Sequence, residues 1–304
     1  MGKIAFVFAG QGAQHIGMGK ELYEAYPAVK SIFDAAESRH PGTLAMMFEG
    51  DKADLKKTEN TQPCLYLADL AAAVALRAEG IMPDAVAGFS LGEIPALAFA
   101  GAYSETDGFS LAMFRGRAMG SAASAVSASM GAVIKLTNEQ VECLCTQFEA
   151  VYPVNYNCPG QLVISARSDM MQAFGDAVKQ AGGRLLPLNV SGGFHSPFMA
   201  EAAETFGAHI ADKDIRTPIL PTYSNYTAEL YGDDVKTLLK KQIEHPVRWE
   251  RLIRNMAKAG FDTFIECGPG GTLAKLISRI LPDARVLTAE TSAQIHTAAK
   301  EILP

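Results

Sequence analysis

The 304-residue sequence predicts an α/β fold: a large body built on a buried parallel sheet, with a smaller unit inserted into it. Three observations predict this. Ile4 to Phe8 is a continuous apolar run of strand length, suited to a parallel strand covered on both faces. Pro83 to Ala87 is a second strand-like segment. It runs into Gly88-Phe89-Ser90-Leu91-Gly92 and then a helical stretch from Ile94 to Ala100, giving strand, turn and helix in succession. Between about Met130 and Val190 the order becomes strand, helix, strand, strand, helix, strand.

Composition narrows the class. The chain is 48% hydrophobic and 20% charged, as ordinary globular proteins are. Its net charge of −6 argues against general binding to nucleic acid or to an anionic membrane. No stretch reads as a transmembrane helix, and the first apolar run is too short for a signal peptide. The five cysteines are an odd number without framework spacing, and Cys143-x-Cys145 lacks the further ligands a zinc site needs. Free thiols in a reducing cytoplasm are expected, with no metal.

The elements follow in order. After the first strand, Gly10-Gln11-Gly12-Ala13-Gln14 is a tight turn. It lacks the lysine of a P-loop and the third glycine of a dinucleotide fingerprint. Helices are predicted over about 19–38 and 63–79, the second starting at Thr61-x-Pro63 and stopping at Gly80. Pro95 predicts an irregular first turn in the helix after Ser90. The next helix, about 105–121, carries Arg115 and Arg117. Two residues apart they do not share a face, and spacing alone favours two solvated arginines.

Met130–Leu136, Pro153–Asn157, Gln161–Ala166 and Arg184–Val190 read as strands, with helices over 138–149 and 169–181, the ferredoxin-like order. Ser191-Gly192-Gly193-Phe194-His195-Ser196-Pro197 then places a histidine in a loop after a strand. Ile219–Ser224 and Thr263–Cys267 read as strands, and 234–243, 250–259 and 272–280 as helices. Gly268-Pro269-Gly270-Gly271 suggests close helix–strand packing rather than a phosphate loop.

Gly88-x-Ser90-x-Gly92 is the stretch with chemical content. A serine hydroxyl is a weak nucleophile and must be presented to a base. A tight turn presents it, and small residues two positions away relieve the crowding. Ser90-x-x-Glu93 also fits a capping box, which would make Ser90 only a helix start. Among the histidines, His195 is the best-placed base, with His15 and His245 as weaker rivals.

Several stretches agree with one family: Gly10-Gln11-Gly12-x-Gln14, Thr61-Gln62-Pro63, Gly88-x-Ser90-Leu91-Gly92-Glu93, Arg115-Gly116, Asn155-Tyr156-Asn157-x-Pro159-Gly160-Gln161, Phe194-His195, Gln242 with Pro246-Val247-x-Trp249, and Gly268-Pro269-Gly270. Over essentially its full length the chain resembles the malonyl-CoA:acyl carrier protein transacylases. The resemblance implies an α/β-hydrolase-like subdomain over 1–125 and 191–304, and a ferredoxin-like insert over 126–190. It implies Ser90 as nucleophile and His195 as general base and acid. The N–H groups of Gln11 and Leu91 would form the oxyanion hole, and Arg115 would hold the malonyl carboxylate. The main-chain carbonyl of Gln242 would orient the histidine in place of an aspartate. The chain departs from the family at Phe89, where histidine is usual. Phe194 is similar to the pattern of malonyl-selecting members.

The resemblance also implies malonyl-CoA and holo acyl carrier protein as partners, with malonyl-CoA a substrate and no cofactor, and a cytoplasmic monomer serving fatty-acid synthesis. Two other readings stay open at this point. One is a related acyltransferase or hydrolase of a polyketide assembly line; the other is a non-catalytic carrier-binding protein.

Overall fold

The computed structural model describes residues 2–190 and 192–303. Ser191, the first residue expected in the histidine loop and in the second segment of the large body, lies outside the described residues. In chain order the strands are β1 (Lys3–Phe8), β2 (Ala85–Gly88), β3 (Ala128–Ile134), β4 (Val151–Cys158), β5 (Gln161–Arg167), β6 (Arg184–Pro187), β7 (Thr222–Tyr223), β8 (Phe261–Cys267) and β9 (Arg285–Ala289). They form two sheets. A five-stranded parallel sheet has the order β7-β2-β1-β8-β9, and a four-stranded antiparallel sheet has the order β4-β5-β3-β6. The α/β class is as expected.

β1 lies at the centre of the parallel sheet because both of its faces are apolar. Phe6 and Phe8 join the core cluster on one side, Ala5 and Val7 the cluster on the other, and all four are buried. The register aligns Ala5 with Ala85 and Phe8 with Gly88, so β1 and β2 end side by side. β8 ends level with them, the Ala9 N–H donating to the Cys267 carbonyl at 3.2 Å. Three loops therefore meet at the carboxyl edge of the sheet: the Gly10 turn, the Ser90 turn and the Gly268 loop. In open parallel sheets this edge is where ligands bind.

The antiparallel sheet is tied to the large body by main chain. Tyr156 N–H donates to the Val247 carbonyl and Val247 N–H to the Val154 carbonyl, at 2.9 and 2.8 Å. The Arg279 guanidinium adds bonds to the Gln161 side chain and the Pro159 carbonyl.

Some boundaries differ from expectation. The first helical region is two helices, Lys20–Ala25 and Pro27–Arg39, because Tyr26 before proline is forced into an extended conformation. The second begins at Thr58, not Pro63. Pro63 is tolerated inside it because only the carbonyl of exposed Glu59 loses a partner, and water can supply one. The helix after β3 stops at Cys145, and β6 stops at Pro187, short of Val190. As Pro95 predicts, a short 3-10 turn, Ser90–Gly92, precedes the helix Glu93–Phe99.

Candidate functional site

The Ser90 turn is built by two glycines. A Cβ on Gly88 would sit 1.9 Å from the Gly92 carbonyl carbon, and one on Gly92 would sit 2.2 Å from the Phe8 carbonyl oxygen. Only bare backbones let the chain fold back this tightly against the end of β1. The cost falls on Ser90, which is left-handed at φ 54°. The capping-box expectation does not hold. Phe89 takes the N-cap position, and no side chain caps that turn. The Glu93 carboxylate instead accepts from the Asn225 N–H and from Gln242 Nε2.

His195 comes to Ser90 from the loop after β6. Its Nε2 lies 2.7 Å from Ser90 Oγ, and its Nδ1 lies 2.8 Å from the Gln242 carbonyl oxygen. A carbonyl can only accept, so Nδ1 carries the proton and Nε2 is free to accept the serine O–H. The Gln242 carbonyl is available because it lies in the last turn of the helix Val235–Glu244, where carbonyls lack partners within the helix. His195 is also left-handed, at φ 59°. Its rivals lie elsewhere: His15 bonds Ile16 and Glu290, and His245 bonds Lys241.

Arg115 is buried at 1% exposure, while Arg117 faces solvent. The expectation from spacing, two solvated arginines, fails for Arg115. The reason is close packing of two helices: a Cβ on Gly116 would lie 3.0 Å from the Thr58 carbonyl oxygen, and this approach brings Gln62 beside Arg115. Gln62 Oε1 accepts from Arg115 Nη1 at 2.9 Å, and Gln242 Oε1 accepts from Nη2 at 2.7 Å. Nη2 also reaches Ser90 Oγ at 3.4 Å. The guanidinium is thus held by neutral amides. Burial pulls it down to about 10, so it stays charged at neutral pH.

Electrostatics follow from this enclosure. Burial and the nearby Arg115 charge push His195 down to about 4, which keeps the imidazole neutral and able to accept a proton at pH 7. Burial raises Glu93 to about 7, against the bonds it accepts and the charge of Arg115. Gln242 stands between these two buried groups, its amide oxygen on Arg115 and its amide nitrogen on Glu93.

Two main-chain donors remain. Among the described residues the N–H groups of Gln11 and Leu91 have no hydrogen-bond partner, while that of Ser90 is taken by Asn225. Gly10 brings the Gln11 turn against the Ser90 turn, since a Cβ there would lie 2.8 Å from the Phe89 carbonyl oxygen. Beside them opens a cavity of about 230 Å³ between the two sheets, lined by Gln11, Phe89, Asn155, Asn157, Gln161 and Leu276. Phe89 packs edge-on against the buried Trp249, ring centres 5.5 Å apart. The Gly268 loop is not a phosphate cradle: the Glu266 carboxylate already accepts from Leu273 and Ala274 N–H at the following helix start. Among the described residues no group of three or more His, Cys, Asp or Glu could hold a metal ion.

All six residues expected at the site thus fall in one region. Sequence reasoning missed Asn225 altogether, and it left Gln62 and the Gln242 side chain without a role. Nothing in a sequence marks a neutral amide that bonds only to other buried groups.

A serine bonded to a neutral imidazole, beside N–H donors without a described partner and a buried guanidinium, is an arrangement suited to an acyltransferase of the α/β class that handles an acidic acyl group. Comparison with known proteins agrees. Residues 5–298 match the acyl transferase domain family. The malonyl CoA-acyl carrier protein transacylase of Bacillus subtilis strain 168 is 39% identical, over 92% of this chain and 91% of its own. The solved structure of the transacylase of the same name from Coxiella burnetii superposes with a TM-score of 0.95 at 34% identity, covering 99% and 98% of the two chains. A malonyl-transacylase solved in complex with a type II PKS acyl-carrier protein gives 0.94 at 31% identity, covering 98% and 99%. The chain belongs to the acyl transferase domain family and, within it, to the malonyl CoA-acyl carrier protein transacylases.

Proposed function

We propose that this protein moves a malonyl group from malonyl-CoA to the phosphopantetheine thiol of acyl carrier protein, through malonyl-Ser90, to supply fatty-acid synthesis. The observation that carries the reading is the convergence of Ser90 Oγ on His195 Nε2 and on a charged guanidinium that has no carboxylate bonded to it among the described residues.

His195 takes the Ser90 proton as Oγ attacks the malonyl thioester carbon. The oxyanion is received by the N–H groups of Gln11 and Leu91, each such donor being worth about 3–4 kcal/mol in transition-state stabilisation. The C–S bond breaks, and the CoA sulfur leaves with the proton from His195. The carrier thiol then gives its proton to His195, attacks malonyl-Ser90 and regenerates the serine. Arg115 grips the distal carboxylate. A plain acyl group leaves it unsatisfied, which is the basis of selection. The carboxylate also offsets the positive field that depresses His195, so binding malonyl strengthens the base. The chemistry calls for no cofactor.

With this goes a division into an α/β-hydrolase-like subdomain, 1–125 and 191–304, and a ferredoxin-like one, 126–190. The parallel order β7-β2-β1-β8-β9 and the antiparallel order β4-β5-β3-β6 support it. We read the protein as a cytoplasmic monomer; its five free cysteines, and the absence of a described helix long and apolar enough to cross a membrane, support a reducing, aqueous setting.

The test is intact mass after mixing with malonyl-CoA, followed by addition of holo carrier. A malonyl adduct that is absent in Ser90→Ala and moves to the carrier is expected. Rapid release of free malonate without carrier would overturn transfer in favour of hydrolysis. A second reading, service to a polyketide carrier, draws on the likeness to the carrier-bound transacylase. Offering both carrier types to malonyl-Ser90 separates the two by rate.

A further inference from the structure

The left-handed Ser90 must be held, and its neighbours in sequence do only part of it, the Glu93 N–H donating to the Ser90 carbonyl. Asn225, in the loop after β7, is buried at 0% exposure. Its Oδ1 accepts from the Ser90 N–H at 2.6 Å, and its Nδ2 donates to the Gly88 carbonyl. One planar amide therefore grips the main chain on both sides of the bend. On the other flank, Gln242 Nε2 donates to the Ser90 carbonyl at 2.6 Å. Both main-chain groups of the serine are thus fixed by amides from distant parts of the chain.

The two amides share one anchor. Glu93 Oε1 accepts from the Asn225 main-chain N–H, and Glu93 Oε2 accepts from Gln242 Nε2. Asn225 is held from behind as well, its carbonyl accepting from Arg248 N–H at 3.0 Å. The bond to Asn225 also takes the Ser90 N–H out of the pool of oxyanion donors, leaving Leu91 and Gln11.

We infer that Asn225, anchored by Glu93, is a positioning residue that holds the Ser90 turn in its reactive conformation. It touches no reacting atom. It sets where Oγ and the Leu91 N–H point. The inference rests on Ser90 being the nucleophile, as proposed above.

The test uses the full-length enzyme with Asn225→Ala, Asn225→Asp and Glu93→Gln. In Asn225→Asp a carboxylate oxygen replaces the Nδ2 donor and faces the Gly88 carbonyl at unchanged size. In Glu93→Gln a donor replaces an acceptor opposite one of two N–H groups. Two readouts are taken on protein with a native-like thermal transition: steady-state malonyl transfer, and labelling of Ser90 by a fluorophosphonate. Asn225→Ala should lower kcat roughly 100-fold, the scale of a misplacement of about 1 Å, and slow labelling by a similar factor. KM for malonyl-CoA should change less than about threefold, since Arg115 and the cavity are untouched. If Asn225→Ala does not fold, the isosteric Asn225→Asp carries the same criteria. A folded variant with kcat and labelling within about threefold of wild type, or with a change confined to KM, would overturn the inference. Failure of the functional reading looks different: the wild-type protein itself would take up no malonyl group, whatever its response to the fluorophosphonate.

Discussion

A neutral His195 is able to accept a proton, and the group that most plainly keeps it neutral, beyond burial, is Arg115. The two residues are therefore coupled. An imidazole at about 4 is a poor base, and it improves when a carboxylate neutralises the guanidinium beside it. Arg115→Ala tests both roles of the arginine. Malonyl loading should fall on the order of 10–100-fold, the range for loss of charge-assisted hydrogen bonds, and preference over acetyl-CoA should relax. At the same time His195 should move up toward its ordinary value near 6.5, because a positive neighbour is gone. The acid limb of kcat/KM for acetyl-CoA should shift to higher pH accordingly. The sign is fixed: the base must be unprotonated, so a higher pKa means activity lost earlier on acidification. NMR titration of the imidazole checks the shift directly, and an unmoved resonance would break the link. This pair also marks a limit of sequence reasoning. Spacing says that Arg115 and Arg117 face different ways, but burial of Arg115 depends on Gly116 meeting a helix more than fifty residues earlier. Only the family resemblance singled out Arg115.

At the scale of elements, the turn around Ser90 shows that small residues act through different physical effects. Gly92 is in an ordinary right-handed conformation, at φ −55°. It is required for space, since any Cβ would meet the Phe8 carbonyl. Gly160, in the β4–β5 hairpin, is the converse: its φ is 72°, and no described atom lies within 4 Å of where a Cβ would stand. Gly160→Ala should cost about 1–2 kcal/mol, the penalty for a left-handed L-residue. Gly92→Ala should cost about 3 kcal/mol or more through overpacking and should also displace Ser90. Urea denaturation of both variants, with malonyl loading measured on the folded protein, checks the contrast; equal costs would mean that the turn yields more easily than its contacts imply. The elbow was legible in the sequence because Gly-x-Ser-x-Gly states its geometry outright. Glu93 was not. Its spacing from Ser90 matches a cap, but its carboxylate is drawn to Asn225 and Gln242, which arrive from over a hundred residues away. The Pro27 break was readable in principle, as proline restricts the residue before it, whereas the start at Thr58 rests on tertiary packing around Pro63.

Across the whole molecule, the site depends on the two sheets keeping a fixed relation. His195 arrives from the end of the antiparallel unit, and Ser90 stands on the parallel sheet. The connection is not a hinge. Val247 exchanges main-chain bonds with β4, and the apolar clusters cross the boundary. Val154 and Val163 of the small sheet pack in the cluster that contains Phe6 and Phe8, and Cys158 packs in the one that contains Trp249. Part of the small sheet has its own core around Phe174, which would allow it to unfold separately if the shared clusters were weak. Chains of this size often show such intermediates. Here the shared clusters and the main-chain bridge favour a single transition. The only tryptophan of the chain, Trp249, is fully buried two residues beyond Val247, so its fluorescence reports on the junction itself. Unfolding curves in urea followed by Trp249 fluorescence and by far-ultraviolet circular dichroism should superimpose. A circular-dichroism loss that precedes the fluorescence change would mean that the antiparallel unit melts alone. In that case His195 would be released from Ser90 before the parallel sheet gives way, and activity would be lost with the first phase.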